Sequence, residues 1–155
     1  MSKLREVALK HTVPKEAGIE VSWLFPFLNL LLTQSFAVRG IENDSRYDPF
    51  EWVCEEYNTK KLVLERAALN WRTMTRLLAL FPNLESLHYQ HVDLSPLGNR
   101  QTFMANKFLE AIQPLKPCLK ELKLLYYCWP PFTSNDGNYE MVSLSDFLST
   151  QVDRY

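Results

Sequence analysis

The stretch Thr59–Tyr89, TKKLVLERAALNWRTMTRLLALFPNLESLHY, states one short phrase twice, with a helical pattern between the copies. The phrase is an apolar residue, two variable residues, an apolar residue, one variable residue and a last apolar residue. TKKLVL begins at Thr59, with threonine in the first place, and LESLHY begins at Leu84. The closing alternation is that of a strand, so Leu62 with Leu64, and Leu87 with Tyr89, face one side. Between the copies Asn70 is placed to cap a helix, and Trp71, Met74, Leu77, Leu78 and Phe81 form an apolar stripe that makes Trp71 a core residue. Pro82 stops that helix before the next strand.

The phrase returns at Leu4 (LREVAL), Thr33 (TQSFAV) and Leu119 (LKELKL), giving five copies whose starts lie 29, 26, 25 and 35 residues apart. Its fourth position is Val7, Phe36, Leu62, Leu87 and Leu122, and its sixth is Leu9, Val38, Leu64, Tyr89 and Leu124. Strands recurring at about 20–29 residues, each followed by a helix or turn, are the pattern of a leucine-rich repeat. The expected fold is therefore an α/β leucine-rich repeat solenoid, a short horseshoe arc with parallel strands on the concave face and helices on the convex face. Residues 1–155 form a single domain of about five repeats, with Phe36, Leu62, Leu87 and Leu122 as neighbouring rungs in one interior.

The other gaps carry their own signals. Ser22 is a cap for a short helix over Trp23–Leu30. Asp48 and Pro49 open a second helix with Phe50, Val53, Cys54 and Tyr57 on one face. Phe108, Leu109, Ile112 and Leu115 make the stripe of a third, and the turn-rich Ser95–Gln101 absorbs the extra length of that gap. Trp129–Asn138 reads as an irregular loop, and Met141 onward as one more helical turn with no strand after it.

The 17 basic and 18 acidic residues nearly cancel, so no global field draws the chain to nucleic acid or to an anionic membrane. The longest apolar run, Trp23–Leu32, contains Pro26 and Asn29 and falls short of the ~20 residues a bilayer span needs. The N-terminus lacks the charge and apolar order of a signal peptide, and Cys54, Cys118 and Cys128 are an odd set without paired spacing. Both point to the cytoplasm or nucleus, where the Asn43-Asp44-Ser45 sequon goes unused.

Leu62–Tyr89, Phe108–Leu124 (FLEAIQPLKPCLKELKL) and Trp23–Ile41 (WLFPFLNLLLTQSFAVRGI) resemble repeat units of fungal F-box and leucine-rich repeat proteins, and the resemblance covers nearly the whole chain. It implies the target-holding region of a ubiquitin ligase receptor. In that family an F-box docks on a Skp1-type adaptor; no F-box fits ahead of Leu4, so the adaptor is a partner only if a missing F-box exists. The chain reads as a fragment of a longer array, lacking the polar capping units that shield terminal repeats.

Positions three and five of each phrase point away from the core. They are Glu6, Ser35, Lys61, Ser86 and Glu121, and Ala8, Ala37, Val63, His88 and Lys123; Arg39, Glu65, Arg66, Gln90, His91 and Tyr126 lie just beyond. This mixed surface suits protein recognition, and the candidate partner-binding residues are Arg39, Lys61, Glu65, Arg66, His88, His91, Lys123 and Tyr126. His88 and His91, three apart on a strand, face opposite ways and have no paired zinc spacing with Cys118 and Cys128. Cys54 is placed on an inward stripe, and no glycine-rich phosphate loop exists. No catalytic residue, metal ligand or cofactor site is expected. The function expected is a noncatalytic protein-protein interaction module. The alternative is a structural role in which uncapped repeat ends associate end to end.

Overall fold

A computed structural model describes residues 5–10, 18–28, 34–43, 51, 55–92, 104–127 and 139–143. Five strands, β1 (Glu6–Lys10), β3 (Ser35–Arg39), β5 (Lys61–Ala67), β6 (Ser86–Val92) and β7 (Glu121–Tyr127), pair side by side in chain order, all parallel. The short β2 (Ile19–Glu20) and β4 (Ile41–Glu42) form a second parallel pair. The helices among the described residues are α1 (Phe25–Leu28), α2 (Trp71–Ala79) and α3 (Ala105–Ile112). The protein is thus α/β, with a five-stranded parallel sheet and three helices.

The register puts equal positions of the phrase in rows: Val7 opposite Phe36, Phe36 opposite Leu62, Leu62 opposite Leu87, and Leu87 opposite Leu122. The next inward row is Leu9, Val38, Leu64, Tyr89 and Leu124. These rows and the inner residues of the helices, Leu24 and Leu28 of the first segment, Met74, Leu77 and Leu78 of α2, and Phe108, Ala111 and Ile112 of α3, belong to one core. Each fully buried leucine contributes about 1.5–3 kcal/mol, so the shared register is the main determinant of the sheet. Asn70 caps α2 by accepting from the Thr73 N–H at 2.8 Å. Its own N–H donates to Asn43 Oδ1 at 3.1 Å, tying one crossover to the preceding one.

At the level just past β3 and mid-β5 the chain bends. Gly40 has φ 82° and Arg66 has φ 51°, and the register shifts between Leu64 and Ala67 because Glu65 and Arg66 both oppose Gln90. The extra residue reverses the alternation and turns Ile41 and Ala67 into the core. Gly18 lies so close to the bend that a Cβ there would sit 2.5 Å from the Gly40 carbonyl oxygen, which accepts from the Ile19 N–H.

Several expectations are corrected. Tyr139–Ser143, of which Met141 was expected to begin a helical turn, forms strand β8, antiparallel to β7. Pairing of β8 satisfies the outer backbone groups of β7, a stronger demand than local helix preference. Trp71 is 44% exposed, because as the first residue of its helix it precedes the turns that face the sheet. The first crossover helix begins as a 3-10 turn at Val21, with Glu20 rather than Ser22 before it. Residues 55–60 are irregular, and Tyr57 is buried beside Phe81 with its N–H on the Leu80 carbonyl instead of ending a helix. The expected helix from Asp48, the loop Ser95–Gln101 and the segment Trp129–Asn138 lie outside the described residues.

Candidate functional site

Helices cover one face of the sheet, and no described element packs on the other, here called the open face. Along β3, β5, β6 and β7 the residues between the core rows are exposed or half-buried: Ser35, Ala37 and Arg39; Lys61, Val63 and Glu65; Ser86, His88 and Gln90; Glu121, Lys123 and Leu125. In β1 their counterparts are Glu6, Ala8 and Lys10, all exposed. The strands described run in chain order, so among them there is no point at which the order reverses, the feature that places nucleotide crevices in doubly wound sheets.

Of the candidate residues, Arg39, Lys61, Arg66 and Lys123 are exposed, and Glu65 and His88 half-buried. The register sets Lys61, through its strand, beside Ser35 and Ser86, and His88 between Val63 and Lys123. Tyr126 lies in β7 between His91 and Glu140; its side chain falls outside the described residues.

His91 belongs elsewhere. It is 1% exposed, and its Nδ1 is 2.9 Å from the Tyr89 hydroxyl. The strand does not end at Tyr89 but continues to Val92 without a bulge, so the alternation carries Leu87, Tyr89 and His91 inward together. Burial raises the Tyr89 phenol well above its ordinary range, against the pull of a hydrogen bond from the Leu69 backbone. Tyr89 and His91 are therefore structural, and His91 is unavailable to a partner.

His88 is the unusual residue of the open face. Its Nε2 is buried yet has no hydrogen-bond partner. Burial, and then the Lys123 cation, push its pKa below the ordinary histidine range, with Glu65 and Glu121 opposing. The ring consequently holds a nitrogen with unmet hydrogen-bonding capacity that is closed to solvent.

The edge of the face where the strands begin is tied by charge. Glu85, just before β6, accepts from Lys60 Nζ at 2.7 Å and Lys120 Nζ at 2.5 Å, and Glu121 accepts from the Ser86 hydroxyl at 2.7 Å. The two lysine hydrogen bonds hold the Glu85 carboxyl at about 2. At the other end of the strands Lys10 stands opposite Arg39. Sequence reading missed Lys10, because the columns beyond the phrase were followed only from the second copy onward; its place six residues after Leu4, matching Arg39 after Thr33, was the available signal.

Among the described residues no three of His, Cys, Asp and Glu come together to hold a metal ion. Cys118 is a half-buried thiol, while Cys54 and Cys128 lie outside the described residues. No described helix is long and apolar enough to cross a membrane. Comparison of the chain with protein-family models, with curated proteins and with solved structures yields no match.

Proposed function

We propose that this chain is a leucine-rich-repeat-type solenoid whose open sheet face recognises another protein without catalysing a reaction. The observation that carries the reading is the register, which sets position three and position five of every phrase in two continuous rows on a face that no described element covers. Solenoids of stacked coils use such a surface for binding. The left-handed backbone of Arg66, held at the margin of that face, is further support, since strain of this kind concentrates at functional positions. Through its resemblance to F-box and leucine-rich repeat proteins, the reading extends to the target-holding region of a ubiquitin ligase receptor.

A photoreactive residue placed at Ala37 or Val63 is expected to cross-link discrete protein partners in extracts, and one at Thr75 or Ala79 on α2 is not. Equal cross-linking from both layers would remove the support for a dedicated face.

The second reading, association through terminal repeats, is favoured by one observation: the outer edge of β1 has no strand partner among the described residues. At the other end β8 runs antiparallel on β7 and interrupts the parallel progression. Self-association would therefore proceed through β1, and sedimentation over a range of concentrations tests it.

A further inference from the structure

We infer that the corner of the open face where β1, β3 and β5 end, carrying Lys10, Arg39 and Arg66 beside Ala8 and Ala37, receives an extended acidic segment of a partner protein. The inference rests on the open-face reading above and adds the chemistry of what is bound.

The charge arrangement comes first. Lys10 and Arg39 are register partners on adjacent parallel strands, both exposed. Like charges placed directly opposite one another disfavour the pairing of their strands. Among the described residues none of Lys10, Arg39 and Arg66 forms an ion pair. Glu65 is the register neighbour of Arg39, yet no ion pair joins them. Glu65 stands beside Arg39, and the register pair Glu20 and Glu42 lies past the bend toward Gly18, so the positive charge is concentrated at the Lys10–Arg39 pair itself in a chain whose formal net charge is -1. The excess is local, as a recognition surface requires.

The relief of the surface comes second. The row two residues before Lys10 and Arg39 is Ala8, Ala37, Val63 and His88. Small side chains at Ala8 and Ala37 let another backbone approach the sheet, while the long side chains of Lys10 and Arg39 stand beside it. At the far end of the same row His88 is half-buried, with its Nε2 closed to solvent. An extended segment crossing the strands along this row meets a floor of small side chains flanked by the Lys10 and Arg39 cations.

The test uses the full chain and four fluorescein-labelled probes of equal length: decapeptides alternating alanine with glutamate, with lysine and with serine, and an oligothymidine. Fluorescence anisotropy is expected to show binding of the glutamate peptide, weakening as salt is added. Lys10→Glu and Arg39→Glu should each weaken it about tenfold or more, whereas Lys107→Glu on the helix layer should not. Arg66→Asn, which tolerates the left-handed backbone, guards against loss through misfolding and should weaken binding too. An equal loss with Lys107→Glu shows nonspecific charge attraction and overturns the inference, as does preference for the oligothymidine. Binding of the lysine or serine peptide, blocked by Ala37→Arg, overturns the acidic assignment while leaving the open-face reading intact. If no probe binds, the acidic assignment falls, and cross-linking from Ala37 and Val63 decides the face itself.

Discussion

Gly40 and Arg66 occupy the same level of adjacent strands, each following a register-paired residue, and both have left-handed backbones, with φ 82° and 51°. The bend they share turns Ile41 and Ala67 inward. Only one of the two is the residue that such a conformation favours. A non-glycine residue there costs roughly 1–2 kcal/mol, part of which glycine would return as unfolded-state entropy. Arg66→Gly is expected to stabilise the chain by about 0.5–1 kcal/mol, and Gly40→Ala to destabilise it by about 1–2 kcal/mol. Urea unfolding measures both, and a destabilised Arg66→Gly would show that the arginine side chain contributes more than its backbone costs.

Glu85 joins Lys60 and Lys120 at the starts of three neighbouring strands. Its carboxyl, ordinarily at 4.5, is held at about 2 in the folded chain. A depressed folded value means that the stabilisation is present above the unfolded pKa and fades as pH falls from about 4.5 toward 2. Glu85→Gln should flatten the stability profile in that window and leave it unchanged in shape at neutral pH. Unfolding midpoints across the acid range read this directly, and a profile identical to that of the parent chain would place the acid sensitivity in other carboxyls.

Tyr89 lies in the core with its hydroxyl 2.9 Å from His91 Nδ1. Removing a hydroxyl that bonds buried groups costs about 1–3 kcal/mol. Tyr89→Phe should therefore destabilise the chain by that order while preserving its far-ultraviolet circular dichroism. A neutral effect would mean that the surrounding polar groups find other partners.

The backbone of β8 covers the outer edge of β7. A chain shortened to end before Tyr139 presents that edge unpaired, and edge strands of this kind recruit further strands. Sedimentation should show concentration-dependent association of the shortened chain beyond that of the full one; equal behaviour would mean that β8 is dispensable for protecting the edge.

The sheet was legible in the sequence because its determinant is local and repeated. Phe36, Leu62, Leu87 and Leu122 recur at one position of the phrase, and burying that position fixes the register. The α2 cap at Asn70 was legible for the same reason. Features set by neighbours in space were not. The strand at Tyr139–Ser143 exists because β7 offers an edge, and Trp71, at the first position of α2, stays partly exposed with the Arg72 and Lys107 cations over its ring. The bulge at Arg66 left one trace, a glycine at the matching place in the preceding copy; His88 and His91 do face opposite ways, and because β6 runs on to Val92 His91 is in the core and not among the partner-facing residues.

Chemical-shift mapping of backbone amides, made on adding a peptide selected against the chain from an unbiased library, tests the open face most directly. Shifts confined to Ala8, Ala37, Val63, His88 and their neighbours are expected. Shifts clustered along Trp71–Ala79 and Ala105–Ile112, with those strand residues unmoved, would contradict the assignment of recognition to the open face.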